Sequence, residues 1–122
     1  MTHLINNTEV ESFFSAEELF FSHTDQKGII LYGNDVFVRV SEYTAEEILG
    51  KPHNVVRHGD MPKAVFKLLW QNLLANKPIG AYVKNRSKTG KYYWVFALAF
   101  PFNNGSLSIR IKPLSKIFNL IL

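Results

Sequence analysis

The sequence predicts one α+β domain, a five-stranded antiparallel sheet with short helices over one face and an N-terminal cap. Three observations carry this. Strand-like segments fall at both ends of the chain with helical patterns between them, the order expected of an antiparallel sheet with helices on one side. The 122 residues, 47% of them hydrophobic, suit a single core. In the most apolar segment, Tyr92 to Phe100, both alternating faces are hydrophobic, so both sides of that strand are covered.

Taken in order, residues 8–19 place Val10, Phe13, Phe14 and Leu19 at loosely helical spacing, a short N-terminal cap. Phe20 to Thr24 reads as a strand, joined by Asp25-Gln26-Lys27-Gly28 to a second over residues 28–32. Gly33-Asn34-Asp35 opens a short helix with Val36, Phe37 and Val40 on one face. Thr44 followed by Glu47 is a capping box, and Gly50 marks the stop of that helix. An irregular helical turn covers His53 to His58. Asp60, as N-cap, and Pro62 start the longest helix, whose stripe is Val65, Phe66, Leu69, Trp70, Leu73 and Leu74. Residues 79–86, 91–100 and 105–112 complete the sheet. Five strands under crossing helices enclose space, the natural place for a small ligand.

Composition excludes several classes of function. Fourteen Lys and Arg against ten Asp and Glu give a net charge of +4, but the densest stretch, Lys84 to Lys91, is diluted with Asn, Ser, Thr and Gly. A nucleic-acid binder gathers its cations on one face beside stacking aromatics, so none is expected here. Without cysteine there is no disulfide, thiolate metal site or thiol nucleophile, which fits a reducing compartment. Residues Met1 to Val10 carry no secretory h-region and no apolar run is long enough to span a membrane, so a cytoplasmic domain is expected. Phosphate-loop, HExxH and G-x-S-x-G motifs are missing, and the acidic residues form no convincing pair; the chain reads as a non-enzyme. Its apolar tail (Ile117, Phe118, Leu120, Ile121, Leu122), together with Val10, Phe13 and Phe14, points to a homodimer contact or a lead into a downstream signalling helix. The expected divisions are cap 1–19, sensor domain 20–112, and linker or signalling helix from 113.

Two segments are more polar than their positions require. Pro52 to Pro62 packs His53, Arg57, His58 and Asp60 at the mouth of a helix, where an arginine fork and helix N–H groups suit a phosphate. His53 and His58 are five apart, the wrong spacing for a two-histidine metal site on one helical face. A single histidine as haem ligand stays open. In Val83-Lys84-Asn85-Arg86 the asparagine either ends a strand or offers its donor and acceptor to a ring edge. The Tyr92–Phe100 strand, bulky at even positions and small at most odd ones, either packs large on small layers or leaves room for a flat ligand.

The run from Gly33-Asn34-Asp35 through Tyr43-Thr44-Ala45-Glu46-Glu47-Ile48-Leu49-Gly50-Lys51-Pro52 resembles the central signature of PAS domains. His53-Asn54-Val55-Val56-Arg57-His58-Gly59-Asp60-Met61-Pro62, then Asn85, Gly90 and Tyr93-Trp94-Val95, is similar to one branch, the FAD-binding PAS sensors of bacterial aerotaxis receptors. The resemblance spans roughly residues 20–112 and implies the PAS fold. It also implies that bound FAD follows the energy state of the cell and that the domain relays this to chemotaxis machinery or another signalling partner. On that resemblance Asn34, His53, Arg57, His58, Asp60, Asn85 and Tyr93 are the FAD-binding residues, with the ring against Tyr93, Val95 and Ala97. Gly59 stands where that branch usually has Pro, and Ile79 where Trp is common. The residues also admit a cofactor-free PAS module for dimerisation and relay, or a haem-binding gas sensor.

Overall fold

The computed structural model describes residues 9–113. Strand β1 (Phe20–Thr24) pairs antiparallel with β2 (Ile30–Gly33). Between them Asp25 Oδ1 accepts from the N–H groups of Lys27 and Ile29, at 2.8 and 3.0 Å. This turn draws in Gly28, whose φ of +80° a side chain would oppose, so β2 starts at Ile30 rather than at 28.

Helix α1 (Asp35–Ser41) is capped by Asn34, whose Oδ1 accepts from Phe37 N–H at 3.0 Å. Helix α2 (Ala45–Ile48) has the expected reciprocal box between Thr44 and Glu47. A 3₁₀ turn (His53–Val56) follows, then α3 (Lys63–Leu74). Asp60 does not cap α3, contrary to the expectation. Pro62 holds the N-cap position without a side-chain bond, while the Asp60 carboxylate turns to Lys84 Nζ at 3.0 Å.

Strands β3 (Ile79–Arg86), β4 (Tyr92–Phe102) and β5 (Gly105–Ile111) close an antiparallel sheet in the order β2-β1-β5-β4-β3. Asn103 and Asn104, with φ of 48° and 65°, make the two-residue turn that joins β4 to β5. Contrary to what its spacing predicted, the N-terminal segment is not helical over residues 9–19. It runs as an extended strap, with Glu11 beside Tyr92 and hydrogen bonds from Tyr92 N–H to Val10 O (2.9 Å) and from Ser12 N–H to Tyr92 O (2.8 Å). Residues 1–8 and the apolar tail from 114 lie outside the described residues.

The sheet distributes its side chains unusually. Phe20, Tyr93 and Val95 on its helix-facing side join Phe14, Ile30, Phe37, Ile48 and Val56 in the core. The same side also buries Ser22, Thr24, Asn85, Ser106, Ser108 and Arg110. Leu98, Phe100 and Ile111 stand on the outer side, each more than a third exposed. In β5 the polar residues therefore face inward and the aliphatic ones outward, and part of the inward polar surface is satisfied within the protein, as where Thr24 and Ser106 share a hydrogen bond of 2.9 Å.

Where β5 meets β1 there is no room for a side chain. A Cβ at Gly105 would stand 1.9 Å from the Thr24 carbonyl oxygen. Gly105→Ala is expected to cost at least about 1–3 kcal/mol in urea unfolding. Gly59→Ala, where a Cβ meets nothing within 4 Å, should stay within about 0.5 kcal/mol of the parent.

Candidate functional site

A cavity of about 220 Å³ lies between the sheet and α3. Its roof is the apolar stripe of α3, where Phe66, Leu69, Trp70 and Leu73 face it and no residue of the helix is fully buried. Of the six residues in the expected stripe these four line the cavity, while Leu74 is largely exposed and Phe66 also packs against the core. The floor is formed by Val83 and Asn85 of β3, Ala97 and Ala99 of β4, and Ser106, Ser108 and Arg110 of β5. Small residues at the odd positions of β4 open the room, and the serines of β5 make its far side polar.

Three of the expected site residues meet at this cavity: His53, Arg57 and Asn85. Asn85 lies within β3, buried, so it is an inward-facing strand residue and not a strand-end turn. The Arg57 backbone bridges antiparallel to Asn85, which fixes both at one edge. The Arg57 guanidinium lies 4.2 Å from the centre of the Phe66 ring, and its buried Nε has no partner. Exposed Lys67 adds a third cation to the lining, beside Arg57 and Arg110.

The other four do not line the cavity. Asn34 is spent on local structure, accepting from Phe21 N–H (3.1 Å) and donating to Leu19 O (2.8 Å) besides capping α1. His58 and Asp60 belong to an ionic cluster with Glu9 and Lys84. Tyr93 is a core ring, stacked at 5.9 Å on Phe20 and edge-on to Phe14. Burial raises its hydroxyl pKa, and that hydroxyl has no partner.

Sequence reasoning missed the residue with the strongest electrostatic character. Arg110 is 5% exposed, and its Nη2 donates to His53 Nε2 at 2.5 Å and to Ser22 Oγ at 3.2 Å. Among the described residues no carboxylate pairs with it, and buried Nη1 has no acceptor. Desolvation pulls its pKa down to about 10, which still leaves it charged at neutral pH. Because His53 Nε2 accepts from Arg110, the imidazole is neutral. Burial and the neighbouring guanidinium hold its pKa well below the usual 6.5. The signal for Arg110 was the Ser106, Ser108, Arg110 alternation, which without a known face reads as the solvated side. Trp70 and Phe66 were visible as a stripe but not as a cavity roof. The histidine nitrogens are engaged within the protein: His53 Nε2 by Arg110, and His58 through Nε2 with Glu9 and Nδ1 with Asp60 N–H.

An antiparallel five-stranded sheet whose helices roof an interior cavity is the architecture of the PAS fold. The sequence profile of the PAS fold matches residues 30–111, and the chain belongs to this family. It is 39% identical to the aerotaxis receptor of Escherichia coli strain K12 over 92% of its own length, which is 25% of the receptor. It is also 27% identical to the nitrogen fixation regulatory protein of Klebsiella oxytoca over 61% of the chain and 15% of that protein. The chain therefore spans about a quarter or less of these relatives. Among solved structures, the PAS domain of a Colwellia psychrerythraea protein superposes with a TM-score of 0.70 at 18% identity, covering 78% of this chain and 86% of that one. The blue-light activated histidine kinase of Erythrobacter litoralis gives 0.68 at 12%, over 84% of this chain and 36% of the kinase. With a receptor and a regulatory protein among its relatives, the chain is a PAS domain of the signal-sensing kind.

The neutral His53 makes stability depend on pH. Its folded pKa lies below the unfolded 6.5, so its contribution is present above pH 6.5 and is lost as pH falls. Below that point the unfolded chain takes up a proton that the buried ring refuses. Urea titrations from pH 7 to 5 should show stability falling with a slope approaching about 1.4 kcal/mol per pH unit from this residue. His53→Gln keeps an acceptor for Arg110 and should flatten that share of the slope, since the other histidines are common to both proteins.

Proposed function

We propose that this domain binds FAD non-covalently and relays the redox or energy state of the cell to a signalling partner, as part of aerotaxis or a related response. The observation that carries the reading is the orphaned Nη1 of Arg110 in the cavity wall, with the unpartnered Nε of Arg57 at its edge. Both are donors without acceptors, and the pyrimidine edge of a flavin is rich in carbonyl and ring-nitrogen acceptors. Asn85 supplies a donor and an acceptor beside them. The cavity is smaller than the roughly 300–1,000 Å³ of most ligand pockets, so it suits one flat ring system, with the rest of a dinucleotide leaving past the mouth. There Arg57 and Lys67 would offset pyrophosphate charge.

When bound, FAD would supply electron-accepting and electron-donating chemistry at its ring. The protein's share is to enclose and orient: Trp70, Phe66 and Ala97 exclude water from the ring faces, while Arg110, His53 and Asn85 hold one edge. Asn34, His58, Asp60 and Tyr93 would act through the walls they brace. On this reading the domain is a cytoplasmic, non-enzymatic module, and among the described residues no helix is long and apolar enough to cross a membrane. The exposed Leu98, Phe100, Phe102 and Ile111 on the outer side of the sheet support a homodimer or a downstream domain as the partner. A blue-light response of the cysteinyl-adduct kind is not expected, because that adduct needs a thiol and this chain has none.

Purified protein should be yellow, and acid release should yield about one FAD per chain. Arg110→Met should weaken FAD binding about ten-fold or more, the equivalent of one charged hydrogen bond at roughly 1.5–3 kcal/mol. Lys88→Ala, which removes only a surface pair with Glu47, should leave binding unchanged. A colourless protein that takes up no added FAD would overturn the reading.

A further inference from the structure

The strap is held at three places. Phe14 enters the core against Phe20, with its carbonyl bonded by Lys112 Nζ at 3.1 Å. Val10 and Ser12 bracket the backbone of Tyr92. The third hold is Glu9, and it reaches the edge of the cavity. Its carboxylate receives His58 Nε2–H at 2.5 Å and lies 3.6 Å from Lys84 Nζ. Lys84 in turn reaches Asp60 at 3.0 Å, and Asp60 N–H donates to His58 Nδ1 at 3.0 Å. The four groups close a ring. That last bond fixes the tautomer, because Nδ1 is the acceptor and Nε2 must carry the proton given to Glu9.

Directly beneath the ring, His58 N–H donates to the Lys84 carbonyl at 3.2 Å, and one residue back Arg57 bridges Asn85. In extended chain successive side chains point to opposite sides. Arg57 and Asn85 therefore face the cavity while His58 and Lys84, their immediate neighbours, grip the strap. A backbone displacement at the cavity pair is passed to the gripping pair, since each shares a peptide unit with it.

We propose that Glu9, His58, Lys84 and Asp60 form a latch that couples the cavity to the N-terminal strap. With the latch closed, Glu9 acts as a positioning residue for the Arg57–Asn85 wall. A ligand that shifts either cavity residue loosens Glu9 and frees the strap, and by thermodynamic reciprocity a freed strap changes the affinity of the wall. The coupling holds for any ligand that touches Arg57 or Asn85, so it does not depend on that ligand being FAD.

The test needs no ligand. Amide hydrogen exchange is followed at Ser12 and Tyr92, whose N–H groups bond the strap to β4, and expressed relative to Ser108 in the central strand β5. Glu9→Gln should raise the ratio at least five-fold, and Lys84→Met, a second route to the same opening, should do so as well. Asn85→Ser, a mild change on the cavity side, should raise it in the parent but add nothing once Glu9→Gln has opened the latch. Three results would overturn the latch: no effect of Asn85→Ser on Ser12 and Tyr92, independent multiplication of the two effects in the double variant, or equal acceleration of Ser108, which marks global destabilisation.

Discussion

A guanidinium in the interior with no carboxylate to answer it is among the most costly groups a small domain can carry, and here the architecture is arranged around one. Arg110 is tolerated because several elements each give it something. Ser22 of β1 accepts one hydrogen bond, His53 of the 3₁₀ turn accepts another, and the Phe37 ring of α1 lies 5.3 Å from its charge. These partners stabilise the side chain without neutralising it. The N–H groups of Nη1 have no acceptor among the described residues, and an unsatisfied buried donor costs about 1–3 kcal/mol. An acceptor supplied to this group would therefore add to the stability of the domain.

The roof follows from the same arrangement. A helix carrying Phe66, Leu69, Trp70 and Leu73 on one stripe would normally be buried against the sheet, yet the floor beneath it presents Asn85, Ser106, Ser108 and Arg110. Polar floor and apolar roof cannot pack directly on each other without leaving the polar groups unsatisfied. They stand apart, and a cavity remains between them. Leu68 and Leu74 on the same helix are largely exposed, so α3 is tied down less firmly than β1 or β5, in the manner of elements that move on binding. Trp70 also answers the lack of tryptophan at position 79. Ile79 only opens β3 by pairing with Ala99, and the aromatic surface comes from the roof.

Much of the fold was legible because local chemistry and tertiary structure agree. Asn34, the Thr44–Glu47 box and the Asn103-Asn104-Gly105 turn each satisfy their own backbone, and the structure uses them as read. The misreadings come from places where a pattern has two solutions. Val10, Phe13 and Phe14 fit a helical stripe, but the backbone of Tyr92 offers a pairing partner that no local rule can see. Asp60 is a good N-cap residue, yet Lys84 makes a better partner across the fold. In β5 the alternation was plain while its face was not: strand periodicity says which residues lie together, not which side is inside. Arg110 was hidden by that ambiguity, as a charged residue on the polar side of a strand is ordinarily a solvated one.

The net charge of +4 acquires a different meaning once its members are placed. Arg39, Lys84, Lys88 and Lys91 stand in ion pairs with Glu18, Asp60, Glu47 and Glu42, and the largely exposed members of these pairs are screened by solvent. None of them builds the continuous field that an extended polyanion would need. Arg57 and Arg110 are different in kind. Each is an arginine with a buried nitrogen lacking an acceptor, each borders the same cavity, and neither has a carboxylate partner among the described residues. In a medium that screens poorly, two such cations act on a ligand far more strongly than the same charges would at the surface. The basic character of the chain is therefore misleading when counted and informative when located. What matters is the pair at the cavity, each with a buried nitrogen that no acceptor among the described residues satisfies.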